Sequence, residues 1–157
     1  MILAVAIPDR IPIVHEPDYR TDTIGSYADG QFLATVVAGF AKAVIPEGDF
    51  ERHKRWYAVL HRFDHDGHHT GSDIWFSGTT ADGERAVIDR AESHLRGWLD
   101  RLPGLIFGDI AVRLFRLEVD GIVFGLVDES DEEYGEHVEL YPDELGFYEP
   151  WNGLYDT

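Results

Sequence analysis

Four of the chain's eight histidines fall within nine residues, in the stretch HRFDHDGHH at 61–69. Imidazole and carboxylate groups together form the ligand set that zinc, nickel and iron(II) accept. His61, Asp64, His65, Asp66, His68 and His69 are therefore the candidate ligands of a divalent metal. Their spacing follows no established metal motif. H-x-H-x-D-H and H-E-x-x-H are absent, and an EF-hand loop would need glycine where His69 stands. Asp-His-Asp-Gly is also the composition of a solvated hairpin turn, so the stretch reads first as a polar turn with no cofactor and only second as a metal site.

Other chemistries have less to stand on. The chain has no cysteine, which removes disulfides, thiolate ligands and cysteine nucleophiles together. Ser26, Ser72, Ser77, Ser93 and Ser130 sit in no G-x-S-x-G context, and no glycine series leads from a strand into a helix as a phosphate loop would require. A carboxylate pair such as Asp64 and Asp73 serves acid–base work only if the fold buries one member. No catalytic residue is assigned on sequence grounds.

Charge is the least ordinary property. Thirteen Lys+Arg against thirty Asp+Glu leave a formal charge of −17. Every basic side chain lies at or before Arg116, whereas residues 117–157 carry thirteen carboxylates and no cation. Such a balance argues against direct binding of a nucleic-acid backbone and favours a basic protein as partner. Asp131, Glu132, Glu133, Glu136 and Glu139 are the candidate contact residues, with Tyr134 and Trp151 as aromatic anchors at a polar rim. The plain alternative is a solvated acidic face whose aromatic rings hold the segment down.

These groups need a frame. A length of 157 residues with 44% apolar and 13% aromatic content suits one globular domain. Residues 56–60 and 74–76 read as the arms of a central hairpin around Asp66-Gly67. Residues 21–28 and 31–40 flank Asp29-Gly30, and residues 110–119 and 122–127 flank Asp120-Gly121, giving two more hairpins in which glycine supplies the positive φ of a tight turn. The proline-punctuated segment PDRIPIVHEPDYR reads as an extended edge, and residues 46–49 as a loop. Residues 84–102 form the one long helix, with Asp82 or Thr80 as N-cap, a Glu92–Arg96 pair, and an apolar stripe of Ile88, Ala91, Leu95, Trp98, Leu99 and Leu102. The expected fold is α+β: a mainly antiparallel sheet of about six strands built from three hairpins, with one long helix packed on one face. Residues 128–157 are expected to dock on it as an acidic, aromatic-rich segment.

HEPDYRTDTIGSYADGQF at 15–32, LHRFDHDGHHTGSDIWFSGT at 60–79, GDIAVRLFR at 108–116 and the closing PWNGLYDT together resemble a set of actinobacterial proteins catalogued as formate hydrogenlyase regulatory proteins. The resemblance runs over nearly the whole chain and implies a regulatory role and a cytoplasmic location. It brings no catalytic motif onto numbered residues. The first seven residues, MILAVAI, are too short to span a membrane and lack the layout of a secretory signal, which also points to the cytoplasm. The resulting expectation is a non-enzymatic regulatory or immunity-type protein whose acidic C-terminal face engages a basic protein. A metal-binding protein or metal-dependent enzyme built on residues 61–73 is the alternative.

Overall fold

The computed structural model describes residues 6–41 and 47–157. The first five residues of the apolar start and most of the approach to Glu47 lie outside this range. The described elements run β1 (Ile11–Ile13), β2 (Ile24–Tyr27), β3 (Gly30–Gly39), α1 (Phe50–His53), β4 (Arg55–Phe63), β5 (His69–Thr79), α2 (Glu84–Leu99), β6 (Ile106–Phe107), β7 (Ile110–Val112), β8 (Phe115–Val119), β9 (Ile122–Asp128), β10 (His137–Tyr141) and β11 (Leu145–Tyr148). The mainly antiparallel pairing and the single long helix match expectation. The strand number does not: among the described residues eleven strands form three sheets, in place of one sheet of about six.

Strand order in the central sheet is β5-β4-β3-β2-β6, and in the second sheet β11-β10-β9-β8, while β1 and β7 form a short separate ribbon. Helix α2 covers one face of the central sheet through Phe32, Ala34, Ala58, Leu60, Ala91 and Leu95. The second sheet covers the other face, where Val37, Tyr57 and Val59 meet Ile122 and Phe124, and Leu33 and Phe63 meet Phe115, Leu126 and Val138. Strands β3 and β4 are thus buried on both sides, so they read as continuous apolar runs with no polar face. Each fully buried Val, Leu, Ile or Phe side chain here contributes about 1.5–3 kcal/mol through its removal from water, and each alanine less.

The extra strands come from stretches that looked irregular. Residues 110–119 break into β7 and β8 at Arg113-Leu114. Gln31 then pins β7 to β3, its Oε1 accepting from Ala111 N at 2.8 Å and its Nε2 donating to Ala111 O at 3.1 Å. The acidic C-terminal region does more than dock: Val138, Leu140, Leu145 and Phe147 alternate with polar residues along β10 and β11, and all four are buried in the inter-sheet core. Period-two alternation carried this signal, but Glu139 and Gly146 between the apolar positions disguised it.

Turn chemistry is as expected at Asp120-Gly121, where both residues have positive φ, 54° and 77°. At Asp29-Gly30 it differs. Ala28 and Asp29 make the turn, Gly30 already belongs to β3, and a Cβ there would lie 1.9 Å from Phe63 O, so close backbone approach selects the glycine. The helix ends at Leu99, three residues early, and residues 100–102 continue as turns before Pro103. Val87 replaces Ile88 as its first fully buried residue. Gly83 occupies the N-cap position, Asp82 instead accepts from Thr79 N and Oγ1, and Arg85–Asp89 at 3.2 Å forms in place of Glu92–Arg96.

Candidate functional site

Strands β4 and β5 extend further than the sequence arms, and this divides the histidine stretch. His61 and His69 belong to the strands, and only residues 64–68 form the loop. The register sets His61 opposite Ser72. His61 Nδ1 lies 2.6 Å and His69 Nε2 2.7 Å from the same Ser72 hydroxyl. One hydroxyl has one proton to give, so Ser72 donates to one imidazole and accepts from the other. Phe115 closes the group from β8, with its ring 4.8 Å from His61 and stacked 4.6 Å from His69. His61 is 2% exposed, and burial, reinforced by the neighbouring His69, lowers its pKa to about 3. Burial also lowers that of His69. Both rings are neutral at pH 7, giving a His–Ser–His hydrogen-bond chain in the core margin.

The other loop candidates are engaged elsewhere. Asp64 Oδ1 accepts from Asp66 N at 3.0 Å and His68 N at 2.8 Å, and these contacts, led by His68, hold its carboxyl below the usual carboxylate range. His68 Nδ1 stands 3.2 Å from Asp64 Oδ2, and His65 Nε2 lies 3.3 Å from Ala28 O. The loop itself is docked and not simply solvated. Gly67 is buried, Arg113 N donates to its carbonyl at 2.8 Å, and Arg113 Nε donates to Asp66 O at 3.1 Å. Among the described residues no three His, Asp or Glu side chains converge as a metal ligand set. The six candidates separate into His61 and His69 on Ser72, Asp64 with His68 in the turn, and His65 and Asp66 apart.

The acidic candidates gather better. The loop joining β9 to β10 closes on itself: Asp131 and Gly135 exchange backbone hydrogen bonds at 2.9 and 3.2 Å, and Tyr134 N donates to Asp131 Oδ1 at 2.6 Å. Ser130 N donates to Asp128 Oδ1, Ser130 Oγ to Glu136 Oε2, and His137 N to Ser130 Oγ. The contacts from Ser130 hold the Asp128 carboxyl below its ordinary range. This tip presents Asp131, Glu132, Glu133 and Glu136, all exposed, around Tyr134, which is 75% exposed. Among the described residues none of these carboxylates pairs with a lysine or arginine. Glu139 stands apart on β10, where its carboxylate accepts from the Tyr141 hydroxyl at 2.8 Å and Glu129 stands 3.1 Å from the same oxygen. Trp151 is also separate: it packs against the inter-sheet core with a buried indole N–H that has no partner among the described residues.

A third feature carries no sequence motif. A cleft of about 650 Å³ lies along β3, walled by Glu92, Leu95, Arg96 and Leu99 of α2, by the loop bearing Asp18, Arg20 and Asp22, and by Asp143 in the β10–β11 turn. Burial raises the pKa of Asp143, and Arg20 partly offsets it. Five separate segments assemble this cleft, so spacing along the chain could not reveal it. The one trace was the unequal length of the arms before and after Asp29-Gly30.

Comparisons of the chain with protein-family models, with curated proteins and with solved structures found no match. No helix among the described residues is long and apolar enough to cross a membrane.

Proposed function

We propose that the protein is a non-enzymatic, cytoplasmic binding module of regulatory or immunity type that engages a basic protein through the tip of its β9–β10 hairpin. The observation that carries this reading is the self-closed tip: Asp131, Glu132, Glu133 and Glu136 surround the exposed Tyr134, and no cation pairs with them among the described residues. Holding like charges together in a fixed loop leaves a local negative potential that a positively charged surface relieves. An aromatic ring in its midst supplies the apolar contact that charge alone lacks. Steering between opposite charges makes such association fast and salt-sensitive. Glu139 and Trp151 act behind this surface, one in the Tyr141 hydrogen bonds and the other as an anchor of the C-terminal tail. The resemblance to formate hydrogenlyase regulatory proteins agrees with a regulatory role, and the absence of cysteine suits a reducing compartment.

The test compares wild type, E132K/E133K/E136K, and a control reversing the exposed Glu47, Glu51 and Asp100 as baits in one cytosolic extract. The expected outcome is a partner held by wild type and control, lost from the tip variant, and released at about 0.5 M salt, where screening acts over only a few ångströms. Equal capture of that partner by the tip variant at low salt would remove the reading.

A further inference from the structure

Helix α2 has two flanks along the central sheet. One borders the cleft beside β3, and the other overhangs β5, the outer strand of that sheet. Trp75 of β5 stands opposite Ala58, on the side of the sheet that the helix covers. His94 stacks on its ring at 4.0 Å with an interplanar angle of 7°, and Trp98 meets His94 edge-on at 4.8 Å. All three rings are half-buried and border a groove of about 380 Å³. That volume lies at the small end of sites that hold metabolite-sized ligands. Ile7 and Ala41, close to the limits of the described stretches, pack on the other face of the sheet, one against the inter-sheet core and the other beside Gly121.

The helix brings donors to this groove. Arg90 and His94 lie one turn apart in one row, and Ser93, Gly97 and Arg101 form the next row. Among the described residues only Arg90 is engaged, with its Nη2 3.4 Å from Ser77 O, while the Arg101 guanidinium, the Ser93 hydroxyl and the His94 ring have no hydrogen-bond or ion-pair partner. No carboxylate lines the groove. Those nearby are occupied or face away. Asp89 pairs with Arg85 at 3.2 Å, Asp73 pairs with Arg62, Asp82 accepts from Thr79 N and Oγ1, and Glu92 lines the opposite flank. Asp100 is exposed about 100° around the helix from Arg101. A chain of net charge −17 thus sets two guanidinium groups beside exposed rings with no acidic side chain between them.

Gly97 is a further sign. Glycine weakens a helix interior relative to alanine. A Cβ at this position would meet nothing within 4 Å, so no packing among the described residues requires the glycine. A molecule lying over the helix backbone would require it.

We propose that this groove binds a nucleoside monophosphate. The base packs against the rings of Trp98 and His94 over Gly97, and the phosphate takes the guanidinium of Arg101, with Arg90 and Ser93 as further donors. Every base offers a π-face to such rings, and an arginine fork matches phosphate geometry. A longer strand fits less well, because its additional phosphates enter the field of the acidic surface around the groove. The acidic tip belongs to the second sheet, on the other face of the central one, so either surface can fail without the other.

The test uses the full, nitrogen-15-labelled chain, whose four tryptophans each give an indole N–H signal. The probes are adenosine 5′-monophosphate, adenosine, inorganic phosphate and a single-stranded deoxyadenosine tetranucleotide. The monophosphate should move the Trp75 and Trp98 signals, leave those of Trp56 and Trp151 in place, and saturate with a Kd below about 1 mM. Adenosine and phosphate alone should each bind about tenfold or more weakly. Arg101→Gln should weaken the monophosphate about tenfold. Gly97→Leu should abolish its binding while leaving the urea midpoint unchanged or higher, which separates a blocked site from a damaged fold. No response at Trp75 and Trp98, equal binding of adenosine, tighter binding of the tetranucleotide, or unchanged binding by Gly97→Leu would overturn the proposal. So would a Trp98 signal that a soluble paramagnetic agent fails to broaden in the free protein, since the groove would then already be filled.

Discussion

Acidification should act on this fold first through His61. Its imidazole is 2% exposed and titrates at about 3 in the folded chain against 6.5 for a free histidine. Above pH 6.5 the ring is neutral in both states and adds no pH dependence. Below 6.5 the unfolded chain takes up a proton that the folded chain refuses until about pH 3, so each unit of acid favours unfolding by about 1.4 kcal/mol. Between pH 7.5 and pH 5 this amounts to about 2 kcal/mol, and the full shift to about 5 kcal/mol, set against a total stability of about 5–15 kcal/mol for an ordinary domain. The assay is urea denaturation of wild type and His61→Gln at both pH values. Asp143, whose pKa is raised, remains in both proteins and cancels in the difference, and carrying His69→Gln in both backgrounds removes the contribution of the ring that shares Ser72 with His61, whose own pKa is lowered. The stability of wild type minus that of the variant should therefore fall by about 2 kcal/mol from pH 7.5 to pH 5. A difference that stays constant would show that the ring protonates in place and that its burial has no electrostatic consequence.

Two further predictions concern packing. Gly125 of β9 has φ 134°, and a Cβ on it would stand 2.2 Å from Phe115 O, so Gly125→Ala should cost about 2–4 kcal/mol in the same denaturation assay, whereas the open Gly97 of α2 should accept alanine with a small gain. The Trp151 indole N–H is buried without a partner among the described residues, so Trp151→Phe should cost less than about 1 kcal/mol while Trp151→Ala costs about 3 or more, read from denaturation midpoints.

The parts of the fold that were legible from sequence are those governed by local rules. Asp120-Gly121 placed a turn because two successive residues needed positive φ, and Ala91 and Leu95 placed the buried stripe of α2 because helical spacing brought them to one face. Long-range competition decided the rest. Arg62 and Asp73 are polar residues inside β4 and β5, so the arms seemed to stop short of His61 and His69, and two strand residues were grouped with a loop. Gly146 lies within β11 but reads as punctuation. The charged and polar residues around Val138 and Leu140 hid a buried alternation that becomes clear only when these two face Phe147 and Leu145 across a ladder. The acidic tip could be read because its residues are consecutive. The His61–Ser72–His69 chain could not, since strand register brings its members together.

Strand β4 sorts its side chains by kind. Toward the helix it offers Ala58 and Leu60, and toward the second sheet the rings of Tyr57, His61 and Phe63. Sliding β4 by one residue against its neighbours would thrust the bulky rings under α2 and leave Ala58 and Leu60 to fill the space beside Phe124. Both interiors would then fit badly at once, one overfilled and the other hollow. Correct alignment of β3 with β4 is consequently enforced from two directions, and adding bulk at Ala58 would be felt as a displacement of the helix while the sandwich beneath it stayed in place.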